Sequence, residues 1–296
     1  TGAGLYIDRD AAEVNLRGNF VGVEPDGVTR TPNRWGVEVV GEFNVIGGVT
    51  PADRNLISGN TWSGVILYSE RSMRNAIVGN LIGTDRYVAP VLGNGWDGVQ
   101  VTNARLSRIG GYSRPLQNVI AGNGHSGVYF ISNAPPGIEN LEVVSRIYGN
   151  STSYAAVESE CALANDAGDG DAGANECLNH PVIERANVVN AELVIEGAFD
   201  SLPNRPGRVA LYGNTRPCTL PRGGETGHFL CYVDIATDAG GHAPFRFVTS
   251  EVAPGFSSVT AIAGVGQEDL YVDATSRVSP CVAVGYADRI FANGFQ

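Results

Sequence analysis

The chain has 296 residues, 39 of them glycine, and a net charge of −11. That length admits two domains, and glycine so far above its usual share of about 7%, without a collagen period, favours tightly turned β structure. Charged residues make up only 17% with no basic run, which argues against nucleic acid as a partner, and no apolar stretch approaches the roughly 18 residues of a membrane span.

The sequence opens at Thr1 inside a Gly-rich repeat, with no initiating Met and no signal peptide, and reads as a mature or trimmed piece. Over residues 1–160 the same phrases recur. Asn-Leu-Ile-Ser-Gly-Asn at 55–60 returns as Asn-Val-Ile-Ala-Gly-Asn at 118–123, Ser-Gly-Val at 63–65 returns at 126–128, and Ile-Gly-Gly at 46–48 returns at 109–111, each after 63 residues. Gly-Asn-Phe-Val-Gly at 18–22 returns as Gly-Asn-Leu-Ile-Gly at 79–83, after 61. A finer step lies inside: Gly before an aliphatic residue at Gly4, Gly36, Gly64, Gly98 and Gly127, with gaps of 32, 28, 34 and 29. The runs between are strand-length and rich in Val and Ile. One such unit cannot bury its apolar face alone, whereas stacked copies pair strand on strand and share one core. The expected fold is therefore all-β: stacked parallel coils of about 31 residues, with a coil of about 21, three per 63, as the alternative. The Gly-Asn steps place Asn19, Asn60, Asn80, Asn123 and Asn150 at corners, where such residues accept left-handed backbone angles or stack as ladders between coils.

The phrases NVIGG (44–48), RNLISGN (54–60), NAIVGNLIGTD (75–85) and QNVIAGNGHSGV (117–128) resemble the right-handed parallel β-helix repeat proteins secreted by many bacteria. The resemblance covers most of residues 1–150. It implies the fold and a secreted, extracellular or cell-surface setting, but such rods serve lyases, adhesins and structural proteins alike.

Residues 161–190 form an Asp/Gly-rich junction similar to the segment that ends such β-helices. Asp166, Asp169 and Asp171 offer hard oxygens on a bendable frame suited to Ca²⁺; a solvated linker is the plainer expectation, and no other cofactor is implied. From 191 to 287, alternating strands are expected at Glu192–Phe199, Arg208–Tyr212, Phe229–Ala236, Pro244–Val248, Val259–Ala263 and Leu270–Asp273, with a turn at Asp238–Gly241, as in a small antiparallel β-sandwich. The Thr237–Phe245 segment resembles an immunoglobulin-like module appended to these β-helices. Residues 288–296 resemble the short aromatic tail of many secreted gammaproteobacterial proteins, and Ile290, Phe291 and Phe295 would form an assembly strand or pack on the sandwich. All five cysteines lie in the second half. None forms a CxxC pair, so disulfides Cys161–Cys177 and Cys218–Cys231 are expected, with Cys281 left over and an oxidising compartment implied.

Chemistry is sparse. No Gly-x-Ser-x-Gly, phosphate loop or Cys/His pair occurs. The Gly124–Gly127 step superficially resembles the Gly-His-Gly of polygalacturonases, but His125 falls, at offset 63, on Trp62. Glu38, Asp97 and Glu70 fall in different registers. No catalytic residue is assigned; a polysaccharide lyase or hydrolase is the alternative to a structural or adhesive protein. One pattern suggests binding. Two residues before each Gly-Val start stand Arg34, Trp62, Trp96 and His125, with Trp35 beside the first. At a coil of about 31 residues they align along one edge, as a glycan-binding surface or as a self-covering corner stack. Self-association, head to tail through open strand edges, is the other partner expected.

Overall fold

A computed structural model describes residues 2–131, 141–151, 157–159, 161, 164–170, 174–215, 224–250, 255–265 and 274–286. Three parallel sheets run up the rod. The first stacks Ala3–Ile7, Trp35–Val39, Val65–Tyr68, Val99–Thr102, Val128–Ile131 and Val157–Ser159. The second stacks Asn15–Leu16, Val45–Gly47, Ala76–Val78, Ser107–Gly110 and Leu141–Val144; the third stacks Phe20–Val21, Leu56–Ile57, Leu81–Ile82, Val119–Ala121 and Arg146–Tyr148. Each strand pairs with its equivalent one coil away. Leu5 faces Val37, Val37 faces Val65, Val65 faces Val99 and Val99 faces Val128, so successive coils measure 32, 28, 34 and 29 residues. The coil of about 31 is the observed one and the coil of 21 is ruled out. The 63-residue repeat is two coils: Ile57 lies under Ile82 and Ile82 under Ile120.

Alternation sends every second side chain inward. Ile7, Val39, Leu67, Val101 and Phe130 form one buried column; Ile46, Ile77 and Ile109 form another; Val21, Ile57, Ile82, Ile120 and Ile147 form a third. On the outer face of the third sheet Leu56, Leu81 and Val119 are also buried, packed with Val23 and Leu92 from the long turns.

The corners are held by asparagine ladders. In one, Nδ2 of Asn33, Asn60, Asn94 and Asn123 donates to Oδ1 of the next member, ending at Asn150, over 2.9–3.1 Å. In a second, Asn19, Asn55, Asn80 and Asn118 are linked the same way over 2.9–3.0 Å, and Asn118 ends on Ser145 Oγ. A third, shorter run joins Asn44 to Asn75. The five asparagines expected at corners therefore belong to two different columns, Asn60, Asn123 and Asn150 to one, Asn19 and Asn80 to the other. Glycine beside them is needed where the ladder passes close: Gly83 has φ +84°, and a Cβ there would lie 2.3 Å from the Ala121 carbonyl oxygen.

The C-terminal part is a sandwich of two sheets. One has the order His242–Thr249, Glu192–Asp200, Val182–Val189, Gly285–Tyr286; the other His228–Ala236, Pro206–Asn214, Ser258–Val265, Ala274–Thr275. Neighbours are antiparallel except that Gly285–Tyr286 runs parallel to Val182–Val189. Its core joins Leu193, Ile195, Phe199 and Phe245 of one sheet to Val209, Leu211, Ala261 and Ala263 of the other. The first strand begins at Val182, inside the expected junction, so the sandwich starts earlier than residue 191. The turn at Asp238–Gly241 forms, with Gly241 at φ +86° and Asp238 Oδ1 accepting from Gly240 N. The expected strand at 270–273 lies outside the described residues.

The sandwich closes the end of the rod. Ala210, Tyr212, Phe229, Ile262 and Val278 join the core of the β-helix. Thr226 N donates to the Ile147 carbonyl at 2.8 Å, and Val143 N donates to Thr275 Oγ1 at 3.1 Å. Backbone groups left open by the last coil are thus satisfied. At the other end Ala3–Ile7 is the outermost strand of its sheet.

Cys161 and Cys177 form a disulfide, Sγ to Sγ 2.06 Å. The expected Cys218–Cys231 bond is overturned: Cys231 is a free thiol and Cys281 is disulfide-bonded. Cys231 sits within the strand His228–Ala236, opposite Leu211, and packs against the sandwich core as a small apolar side chain. Cys218 lies outside the described residues.

Two outcomes follow. Asn94→Ala removes the acceptor of the Asn60 backbone N and Nδ2 in a buried column and leaves Asn123 Oδ1 with only the backbone N of residue 94, and should cost about 1–3 kcal/mol in urea unfolding; Asn19→Ala, at the half-exposed start of its ladder, should cost under about 1 kcal/mol. Thiol titration of unreduced protein should find one cysteine, and only after denaturation, because burial pushes the Cys231 thiol up to about 12.

Candidate functional site

The aromatic column assembles as the repeat requires. Trp62 N donates to the Arg34 carbonyl, Trp96 N to Trp62 and His125 N to Trp96, over 2.7–3.3 Å, so the four residues stand directly above one another. The Trp62 and Trp96 rings stack at 5.9 Å and 17°, and Trp96 and His125 at 5.7 Å and 29°. Arg34 Cζ lies 4.2 Å from the Trp62 centroid and 4.3 Å from that of Trp35, which meets Trp62 edge-on at 5.3 Å. His125 Nδ1 is 2.6 Å from Asp97 Oδ1, and Asp97 is 0% exposed. His125 is therefore a member of this brace.

Both faces of Trp62 and both faces of Trp96 are covered, one by Arg34 and the rest by neighbouring rings. A sugar stacks on a ring face, so what these residues offer solvent is their edges, although Trp62 is 36% and Trp96 51% exposed. Each contact contributes about 0.5–1.5 kcal/mol, and the column acts first as a brace along one edge of the rod.

The outward face of the first sheet offers a different surface. Tyr6 pairs in register with Glu38, one coil up, and a groove of about 490 Å³ opens there between Tyr6, Arg9, Glu38 and Val40 on one side and Tyr68, Ser69, Glu70 and Arg71 on the other. Here the tyrosine rings are open, Tyr6 being 55% and Tyr68 49% exposed. Glu70 is paired with Arg105 at 2.9 Å. Burial pushes the Glu38 carboxyl above its ordinary range, against the opposing pull of the Arg34 guanidinium. Glu38 and Glu70, expected in different registers, thus line one groove. Glu38 pairs with Ile66, so Glu70 stands one coil up and four residues further along the chain, and the two registers differ as expected. A signal that could have found the groove is the recurrence of Tyr-Ile-Asp-Arg at 6–9 as Tyr-Ser-Glu-Arg at 68–71, an offset of 62, which is the two coils of 32 and 28 plus two residues.

The acidic junction is braced rather than open. Asp169 accepts from Asn179 N at 2.7 Å and from Ser201 Oγ at 2.5 Å, and Asp166 accepts from Gly170 N at 2.9 Å. Among the described residues no three His, Cys, Asp or Glu side chains converge as a metal site. Asp171, Ile290, Phe291 and Phe295 lie outside the described residues. No helix among the described residues is long and apolar enough to cross a membrane.

The chain is thus a parallel β-helix capped by a β-sandwich. It matches no model of a known protein family, and no curated protein is similar to it.

Glu38 generates a pH test. Its carboxyl binds a proton more tightly folded than unfolded, so its contribution to stability is full in acid and is lost as pH rises through the folded value. Glu38→Gln keeps the neutral state at all pH. The variant should melt higher than the parent at pH 7, and the gap should close as pH falls below the ordinary 4.5; thermal melts from pH 3 to 8 check this.

Proposed function

We propose that this protein is an extracellular β-helix rod of structural or adhesive role that binds glycans through the groove on its first sheet. The observation that carries the reading is the pairing of two open tyrosine faces with carboxylate and guanidinium groups in one groove: apolar ring faces for sugar rings, and charged acceptors and donors for hydroxyls. The Cys161–Cys177 disulfide supports an oxidising, secreted setting. In this reading the sandwich is the immunoglobulin-like module that secreted bacterial β-helix proteins carry, and its second task is to seal the rod.

A glycan array tests the reading. The protein should bind a subset of glycans, and Tyr6→Ala with Tyr68→Ala should lower that binding about tenfold or more, while Tyr286→Ala on the sandwich leaves it unchanged. Equal binding by the double variant and the parent sinks the groove.

One observation favours a second reading, a polysaccharide hydrolase or lyase. Glu38 is a carboxyl held toward its protonated form beside a second carboxylate, Glu70, in the same groove, the pairing that general acid–base cleavage uses. Release of new reducing or unsaturated ends from a bound glycan, abolished by Glu38→Gln, would replace the adhesive reading; binding without turnover supports it.

A further inference from the structure

We propose that the ligand of the groove is an anionic glycan, a linear chain whose carboxylate or sulfate groups are met by Arg9 and Arg71. The proposal rests on the glycan reading above and names the substrate class.

The chain carries −11 overall, yet the groove runs the other way. Arg9 and Arg71 are exposed and take part in no ion pair among the described residues, whereas Glu70 is neutralised by Arg105. Counting Arg105, three guanidinium groups meet the two carboxylates Glu38 and Glu70. Glu38 is further discouraged from holding its charge by burial. Asp8 and Asp10 flank Arg9 in sequence but do not line the groove. Two cations kept free of partners in an acidic protein are a surface built for an anion.

The geometry says what kind. Tyr6 with Arg9, and Tyr68 with Arg71, are the same four-residue step two coils apart, about 10 Å up the rod at one strand spacing per coil. Asp8, not Tyr6, shares the column of Val40 and Tyr68, since Ile7 pairs with Val39 and Val39 with Leu67. The second step is therefore displaced two residues, about 7 Å, along the strand, and the two ring-plus-guanidinium pairs lie on a diagonal with Glu38 between them. A chain lying on that diagonal meets a ring and a cation, then a carboxyl, then a ring and a cation. It must carry charge at intervals, with hydroxyls between for Glu38 and Ser69. A sugar acid or sulfated sugar chain does so. A single-stranded DNA is a polyanion too, but its sugars are joined through their hydroxyls by phosphates, so it carries no free hydroxyls between the charges for Glu38 and Ser69.

The test is calorimetric binding of the full chain to alginate oligosaccharides and to their methyl esters, to dextran sulfate and to dextran, with a single-stranded dT20 as the polyanion control. Alginate, dextran sulfate or both should bind about tenfold or more tighter than the uncharged counterpart, and should weaken as NaCl is raised from 50 to 300 mM, by ordinary screening. Which charged chain wins distinguishes carboxylate from sulfate. Arg9→Gln and Arg71→Gln, both on exposed side chains, should each lower the affinity about tenfold with an unchanged melting temperature, and Arg185→Gln on the sandwich should not. Equal affinity for charged and uncharged chains overturns the proposal and leaves the glycan reading intact. Binding of dT20 as tight as that of either glycan overturns it as well. Failure of every glycan to bind removes the reading and the proposal together.

Discussion

Vertical register is the constraint on which everything else here depends, and the asparagine ladders impose it at the corners. Each ladder Oδ1 accepts from both the backbone N and the Nδ2 of the coil before it, as Asn94 does from Asn60 at 3.1 and 2.9 Å. The amide is buried, so a coil that slipped by one residue would leave two donors and one acceptor unpaired in a site with no water to replace them, at about 1–3 kcal/mol each. The same slip would turn Val65, Val99 and Val128 outward. Polar corners and apolar columns thus demand one alignment, and it is this agreement that lets turns of unequal length, 28 to 34 residues, stack without drift.

The ladders also have a direction. In both long ladders Nδ2 donates toward the later coil. Amide dipoles so aligned reinforce one another, and the two ends of the rod become chemically different. The later end, where polar groups and strand edges would face out, is met by Thr226, Thr275 and the apolar side chains Tyr212 and Ile262 of the sandwich. One face of the second sheet therefore serves the sandwich core through Val209 and Leu211 while the other, through Ala210 and Tyr212, extends the core of the rod. That explains why residues 209–214 and Ser258–Val265 are buried on both sides: alternating side chains have two apolar neighbours instead of one and water.

How much of this was legible in the sequence follows from what repeats. The coil could be read because Gly4, Gly36, Gly64, Gly98 and Gly127 mark it on one sheet, and the aromatic column could be read because it sits at a constant step before those glycines. The ladders were only half visible: Asn33, Asn55 and Asn118 belong to them but follow no Gly, and Asn94 follows Gly93 without the strand-like run that marks the other steps, so a search for Gly-Asn steps merges two corners and misses rungs of both. Cys161–Cys177 was read correctly, and the other expected disulfide failed for a related reason. Loop brackets suggest that near cysteines pair, but a strand places Cys231 by its register opposite Leu211, and no bracket reveals that. Five of the six expected sandwich strands match to within two residues; the first, Val182–Val189, was missed because Glu184, Arg185 and Asn187 interrupt the alternation, and the two-residue strands Ala274–Thr275, Val282–Ala283 and Gly285–Tyr286 are too short to show any.

The groove escaped because its parts lie on unlike coils. Glu38 belongs to a coil that lacks the Tyr-x-acid-Arg step, and that step is displaced along the strand when it returns. A repeat detector rewards residues that stack identically; a binding surface on a rod gains from the reverse. Identical residues in register cover one another, as Trp62 and Trp96 do, and spend their faces on the rod itself. Tyr6 and Tyr68 stand two coils apart and two residues out of register, with Glu38 and not a third ring on the coil between, so neither ring covers the other and Arg9 and Arg71 do not stack. On this rod, strict periodicity marks what holds the structure together, and departures from it mark the side chains left free to meet something else.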